Sequence, residues 1–321
     1  MNPWLIVHLV FGVFAVVGVF LAMSTSKNWI IRGQMNFRWY YGLFITLLLA
    51  ALPLVWSSTL LFHIYFLLLG MAWLVCLWTI LPFTILHAKE IAKSKTAQSG
   101  LSMMVFNVLQ DNESYDAFSS LARDISPDLV LMMETDQKWY DGVTALRDDY
   151  PYEIHELRDD TYGILLISRI PLDRAEVRHL VKKEIPSLEI CLTHNSHKYM
   201  IMCVHPEPPL PGEALTSRPK DLEILRAANV LVDQDESYAK LLIGDLNDVA
   251  WSQTSQTFKE LTGLGDPRVG RGMYNTFPTH KWIRFPLDHV FCSKYLKIKR
   301  FQRLPDVGSD HFPMLIEVSA E

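Results

Sequence analysis

Acidic residues are missing from the first 89 positions of the chain; Glu90 is the first. Basic residues are scarce there too. Six of the 30 Lys and Arg lie before Gly100 (Lys27, Arg32, Arg38, Lys89, Lys93, Lys95), with one of the 35 acids. So little charge excludes an ordinary water-facing surface for this part, since soluble domains carry about 25% charged residues. The remainder keeps 24 basic and 34 acidic residues, a net charge near −10. No dense basic run follows Lys95. Duplex-binding surfaces neutralise phosphates with Lys and Arg, so nucleic acid is a disfavoured partner.

Other absences narrow the chemistry. The four cysteines, Cys76, Cys191, Cys203 and Cys292, form no C-x-x-C, which removes a zinc ribbon or thioredoxin-like motif. Cys191 and Cys203 fall in neighbouring predicted strands with an offset register, and all four read as small buried hydrophobes. The chain has no G-x-x-x-x-G-K-[ST], H-E-x-x-H or G-x-S-x-G. An ATPase, a zincin protease and an α/β-hydrolase lose support.

Long uncharged runs are what the first part does have. They cover about 4–23, 39–56 and 62–86. A helix crosses the hydrocarbon core with about 20 apolar residues, and Trp4, Trp39, Tyr40, Tyr41 and Trp56 sit at the ends as interfacial residues do. Residues 1–88 are therefore expected as a three-helix transmembrane anchor, multi-pass in a cell (inner) membrane, with the lipid bilayer as partner. The start Met-Asn-Pro-Trp has no cationic n-region, which speaks against a signal peptide. His8 and His63 have no acidic or thiol partner at helical spacing and read as packing or interfacial residues. Lys27, Arg32 and Arg38 in the first loop share a side with Lys89, Lys93 and Lys95, while the second loop, near Ser57 and Ser58, carries no cation. The positive-inside rule puts the shared side, and the domain after it, in the cytoplasm.

Residues 89–100, rich in Lys, Ser, Ala and Gln, read as a linker; 101–321 read as one acidic, water-facing domain. Strands are predicted at 101–109, 129–133, 152–157, 163–168, 175–180, 187–193, 198–204, 241–243, 290–292 and 314–318. Helices are predicted at 115–125, 137–146, 219–232 and 252–261. The pair 187–193 and 198–204 forms a hairpin closed near Asn195. Many strands with a few covering helices make an α/β sandwich of two packed sheets.

Polar residues recur where apolar strands stop. Asn107 ends the first strand, Glu134 follows Leu-Met-Met, and His205 follows Met-Cys-Val. Asp245 and Asn247 sit in Leu-Leu-Ile-Gly-Asp-Leu-Asn; Asp288 precedes His-Val-Phe-Cys, and Asp310-His311 precedes Phe-Pro-Met-Leu. Taken singly, each has a plainer role as turn, cap or strand terminator. Jointly they fit phosphate ester cleavage, which needs phosphoryl charge neutralised, a positioned water and a stabilised leaving group. A hard Mg²⁺ or Mn²⁺ on carboxylate and amide oxygens supplies the first, and Glu134 and Asn107 suit it. Asp245 suits orienting or deprotonating water. Asp288 holding His311 keeps a proton available for a phosphate oxygen. His289 reads as a packed or surface residue. Arg268 and Arg271 are either phosphate contacts or part of a solvated turn. Trp251, Phe277 and Trp282 either line a pocket or pack. The proline-rich loop 206–212 is expected to wall the cleft.

The pattern resembles the endonuclease/exonuclease/phosphatase superfamily, related to DNase I and neutral sphingomyelinases, through nearly all of 101–319. It rests on Phe-Asn-Val-Leu at 106–109, Met-Glu-Thr-Asp at 133–136, Tyr-Gly-Ile-Leu-Leu-Ile-Ser-Arg at 162–169 and Val-His-Pro at 204–206. Gly-Asp-Leu-Asn-Asp at 244–248, Leu-Asp-His-Val at 287–290 and Gly-Ser-Asp-His-Phe-Pro at 308–313 complete it. The resemblance implies a four-layer α/β sandwich and divalent-metal phosphoester hydrolysis. It implies Asn107, Glu134 and Asp310 on the metal side and His205 on the scissile phosphate. Asp245 and Asn247 would position water and phosphate, and Asp288 would orient His311. Some nuclease members carry an acid two residues after the Asn107 equivalent; Leu109 stands there, which weakens a nuclease assignment. The anchor resembles a bacterial membrane-bound branch, and some anchored branches hold the domain outside the cytoplasm, against the charge count. The expected function is a membrane-bound, Mg²⁺- or Mn²⁺-dependent phosphodiesterase or phosphatase acting on a small or lipid-linked phosphoester. A metal-dependent nuclease and a non-catalytic membrane scaffold are the alternatives.

Overall fold

The structure, a computed structural model, describes residues 3–56, 59–96, 100–209 and 215–320. The apolar runs form α1 (Pro3–Leu21), α3 (Arg38–Val55) and α4 (Leu60–Ile80); the helical stretches Pro3–Leu21, Trp29–Val55 and Leu60–Phe83 are long and apolar enough to cross a membrane. They pack on one another through Ala15, Val19, Ile45, Leu52, Leu69 and Ala72. Outward they expose Val10, Phe14, Leu47, Leu54 and Leu67, the apolar-out pattern that fits a lipid solvent. His8 is a packing residue as expected: its ring nitrogens meet Tyr65 Oη at 3.1 Å and the Leu48 carbonyl at 2.9 Å. Ser57 and Ser58 of the second loop lie outside the described residues.

Between α1 and α3 the chain forms α2 (Trp29–Gly33) and a 3-10 turn (Gln34–Phe37). Asn28 starts α2 by accepting a hydrogen bond from Ile30 N at 3.0 Å. Neither element is visible in the hydrophobic periodicity, which the long flanking runs dominate.

The domain after Gly100 holds β1 (Leu101–Asn107), α5 (Tyr115–Ile125), β2 (Leu129–Met133), α6 (Gln137–Gly142), β3 (Tyr152–Glu156) and β4 (Ile164–Ser168). Next come β5 (Arg174–Arg178), β6 (Ser187–His194), β7 (His197–Cys203), α7 (Arg218–Val232), β8 (Tyr238–Asp245) and α8 (Gln253–Thr262). It ends with β9 (Asp288–Cys292), β10 (Leu296–Arg303) and β11 (Met314–Ala320). One sheet runs β10-β11-β1-β2-β4-β3 and the other β5-β6-β7-β8-β9. Both are mixed: β1–β2 and β7–β8 are parallel, the other pairs antiparallel.

The sheets face each other across Met103, Val105, Leu131, Ile201, Leu241 and Ile243. Helices α5 and α6 cover the first sheet, with Phe118 and Trp139 on Met104 and Phe106. Helices α7 and α8 cover the second, with Ile224 and Phe258 on Met202 and Phe291. The result is the four-layer sandwich. Strands β1, β2 and β4 are buried along their whole length, which is why they read as continuous apolar runs. The β6–β7 turn places Asn195 and Ser196 at φ 51° and 65°, the conformation a two-residue hairpin turn needs. Its register sets Cys191 opposite Met200 and Cys203 opposite Leu188. All four thiols are free and buried.

The N-terminal helices share a core with the domain after Gly100. Met35, Ile80 and Phe83 pack with Val249, Trp251 and Leu287, and Trp251 Nε1 donates to Met35 O at 2.8 Å. The polar segment before Gly100 lies along β10: Ser94 N donates to Ile298 O and Ile298 N to Ala92 O, both at 2.9 Å. Ile91 enters the core between the sheets. Residues 97–99 are outside the described set.

Candidate active site

All the strand-end residues gather along one edge of the sandwich. Asn107 and Glu134 come from the ends of the parallel neighbours β1 and β2, and His205 from just past β7. Asp245 ends β8, Asp288 opens β9, and Asp310-His311 precede β11.

The two sheets are joined by Asn107. Its Nδ2 donates to Glu134 Oε1 at 2.8 Å and to Asp245 Oδ2 at 3.2 Å. Its Oδ1 accepts from Leu109 N at 3.1 Å. Glu134 holds a left-handed backbone, φ 63°, a strained conformation for a non-glycine residue that surrounding structure must enforce. Burial pushes its carboxyl above the usual range, against the pull of His205 and the Asn107 hydrogen bond.

Asp245 stands opposite Asp288 in the β8–β9 register. His311 fits between them, with Nδ1 2.8 Å from Asp288 Oδ2 and Nε2 3.4 Å from Asp245 Oδ2. Burial pulls the imidazole down. The Asp288 and Asp245 carboxylates outweigh it and push His311 up to about 10. Phe277 packs against the ring, centroids 4.8 Å apart.

His205 Nε2 is 3.9 Å from both Glu134 Oε1 and Asp245 Oδ2. Its Nδ1 and Asp288 Oδ1 are buried without a hydrogen-bond partner. Asn247 takes a left-handed backbone, φ 49°; its N–H donates to Asp245 Oδ1 at 2.9 Å and its Nδ2 to Pro206 O at 3.0 Å. Gly244 is required beside them: at φ 144° any Cβ would lie 2.0 Å from Val204 O. Asp310 is half-buried; burial raises its carboxyl, Asp245 and Asp288 add to that, and His311 opposes it. Its carboxylate lies 3.5 Å from Ser309 Oγ, and the described hydrogen bonds do not link it to Asn107 or Glu134.

Ser309 has a part that sequence reasoning missed. Its hydroxyl donates to Asn107 O at 2.7 Å and accepts from His311 N at 3.0 Å, tying the histidine loop to β1. The Ser-Asp-His triplet was the available signal. Arg268 is neither a phosphate contact nor a turn residue in water. It is buried in an ion pair with Asp266 at 2.7 Å and donates to the carbonyls of Pro286 and Asp288, which fixes the strand start carrying Asp288. Arg271 Nη2 donates to Ile91 O at 2.6 Å. His289 packs as expected, Nδ1 on Leu287 O at 2.8 Å; burial first, and the nearby Arg268, hold it well below its usual value. Trp251 packs between anchor and domain, Phe277 reaches the site, and Trp282 is fully exposed. Pro208 and Pro209 line the cleft beside the site; 210–212 of that loop are outside the described residues.

The donor set suits a divalent ion. Four carboxylates, Glu134, Asp245, Asp288 and Asp310, converge with few cations to balance them, and burial and mutual repulsion hold two of them up. Hard oxygen donors with excess negative charge fit Mg²⁺ or Mn²⁺. Asp245, Asp288 and His311 present ligand atoms within 4.8 Å of one another. Both His311 nitrogens already face the two carboxylates.

The Endonuclease/Exonuclease/phosphatase family model matches residues 104–311. Zebrafish (D. rerio) TDP2 complexed with single-strand DNA product superposes with TM-score 0.59 at 17% identity, over 69% of this chain and all of that one. Zebrafish TDP2 humanized by 14 mutations gives 0.58 at 16%, over 69% and 100%. The human Nocturnin catalytic domain with bound sulfate gives 0.57 at 15%, over 73% and 96%. No curated protein sequence matches the chain.

Proposed function

The chain belongs to the endonuclease/exonuclease/phosphatase family, and from that premise we propose that it is a membrane-bound, divalent-metal-dependent hydrolase of a small or lipid-linked phosphoester. The family and its fold make it a phosphoester-acting hydrolase. The observation that carries the finer reading is the Asn107 amide bridging Glu134 of one sheet to Asp245 of the other, beside the Asp288–His311 pair.

Glu134, Asn107 and Asp310 would hold the ion. A bound Mg²⁺ or Mn²⁺ supplies charge neutralisation at the phosphoryl oxygens. Asp245 orients the attacking water and accepts its proton, its second oxygen being fixed by Asn247 N. His311, kept protonated by Asp288, donates to a phosphate oxygen as charge develops there. His205 reaches the same phosphate from β7, and Asn247 completes its cradle. The excess of acids after Gly100 and the three candidate spans favour a small or bilayer-borne substrate over a long nucleic acid. The catalytic domain is assigned to the cytoplasmic face of the inner membrane on the basic residues flanking α1, α3 and α4; a reporter fused after Glu321 tests this, and a periplasmic signal would reject it.

The deciding assay uses the full chain in nanodiscs. Phosphomonoesters, phosphodiesters, phospholipids and DNA are offered with Mg²⁺ or Mn²⁺, beside Asp245→Ala and His311→Ala. Metal-dependent turnover lost in both variants is expected. Turnover indifferent to EDTA or to both substitutions sinks the reading, and DNA as the best substrate would favour the nuclease.

A further inference from the structure

A cleft of about 520 Å³ opens from the site, with His311 and Asn247 in its lining. Its facing wall is not supplied by the catalytic domain. Ile30, Met35 and Phe37 of the α1–α3 loop form it, and Phe285 and Leu287 extend the apolar surface toward His311. Ile30 is 55% exposed and Phe37 38%. Apolar side chains left open beside a polar catalytic centre mark a binding surface.

The wall is held in place from several directions. Lys27 O accepts from Ser217 N at 2.9 Å, and Trp29 N donates to Leu215 O at 3.2 Å. Lys27 Nζ pairs with Asp221 at 2.8 Å, while Arg32 Nη2 donates to Thr254 Oγ1 at 3.1 Å. Beyond the loop, Tyr40 Oη donates to Arg284 O at 2.9 Å. The loop is therefore a fixed part of the cleft.

Its height follows from connectivity. Trp29–Phe37 follows the first candidate span, Pro3–Leu21, and opens the second, Trp29–Val55, so Ile30 and Phe37 lie at the end of the spans nearest the site. A phosphoester embedded by an alkyl chain carries its phosphate at that level. The apolar wall meets the chain beside the phosphate, and the polar end of the cleft meets the phosphate.

We infer that the anchor's first loop is a substrate-binding element: the cleft takes the first methylenes of an alkyl or acyl chain linked to the scissile phosphate, with Ile30 and Phe37 determining specificity. The inference rests on the hydrolase reading of the same site. The anchor then selects the substrate as well as tethering the enzyme.

The test measures inhibition of bis(p-nitrophenyl) phosphate hydrolysis by n-alkyl phosphates, from butyl to octyl, using the full chain in nanodiscs. Wild-type inhibition should tighten about fourfold per methylene, on the order of 200-fold across the series. Ile30→Ser and Phe37→Ser should reduce the gain to about tenfold or less, the loss expected when apolar contact is removed. Leu261→Ser, an exposed apolar residue on α8 outside the cleft, should keep the wild-type slope, which separates the cleft from partition into the bilayer. Ile30 is exposed, so its substitution stays informative if Phe37→Ser folds poorly. A wild-type slope in Ile30→Ser, or a flat series in the wild type, overturns the inference alone. Ester hydrolysis that is absent, or unaffected by His311→Ala, overturns the hydrolase reading and the inference with it.

Discussion

Asp245 and Asp288 face each other across the β8–β9 pair, and the His311 ring separates their carboxylates at 3.4 and 2.8 Å. Like charges directly opposite one another in a sheet are destabilising. One cation between them removes that cost, and the same arrangement holds a proton in place for chemistry. Burial opposes the charge on His311, yet the two carboxylates prevail and raise it to about 10.

A pH profile follows from that geometry. With protonated His311 as donor, kcat/KM should hold through neutral pH and fall as pH passes about 10. Asp288→Asn removes the nearest carboxylate, so the alkaline limb should move to lower pH, with kcat reduced on the order of 100-fold. An unmoved limb would assign the donor elsewhere. The sign for stability agrees: a histidine raised in the folded state stabilises below its unfolded value, near 6.5, and that contribution is lost as pH rises through about 10.

Gly244 gives a test of the backbone beneath Asp245. Its φ of 144° and the 2.0 Å approach to Val204 O leave no space for a methyl group. Gly244→Ala should cost about 2–4 kcal/mol of stability, read as a lower Tm. Activity per folded molecule should also fall, because displaced strands separate Asp245 from Asn107.

Much of this was legible because catalysis and folding left separable signatures. Buried strands such as β2 and β4 are continuous apolar runs, so the polar residues at their ends stood out. Strand β10 was not legible: its buried Leu296 and Ile298 alternate with Lys and Arg on an edge, and so few apolar positions resemble a loop. The α2 segment was hidden because its contacts lie with Leu215, Asp221 and Thr254, far away in sequence. Arg268 reads as a phosphate contact or a solvated turn because it follows Asp-Pro in a glycine-rich stretch, whereas its burial and its hold on the Pro286 and Asp288 carbonyls are visible only in three dimensions. Asn107, Glu134, Asp245 and His311 were found by motif, but only the structure set Ser309 between β1 and the histidine loop.

Glu223 makes stability depend on pH away from the site. It is buried on α7, accepts from Ser187 Oγ at 3.1 Å, and burial pushes its carboxyl up to about 8. A raised acid binds its proton more tightly when folded than unfolded. Stability should therefore fall as pH rises from the ordinary carboxylate range through about 8. Glu223→Gln should flatten that slope in thermal melts at pH 5 to 8. An unchanged slope would show that Glu223 is not the group responsible.

Removing the anchor tests whether the catalytic domain stands alone. Met35, Ile80 and Phe83 belong to one core with Val249, Trp251 and Leu287. Each such side chain contributes roughly 1.5–3 kcal/mol when fully buried. A fragment beginning at Lys89 keeps Ile91 in the inter-sheet core but uncovers Trp251, only 6% exposed in the full chain. It should melt well below the full-length protein and self-associate, as measured by calorimetry and light scattering. Trp251→Ser in the same fragment should reduce the association without restoring the melting temperature, because it removes the exposed apolar surface and supplies none of the lost packing. A monomeric fragment that melts with the full chain would show the shared core to be dispensable.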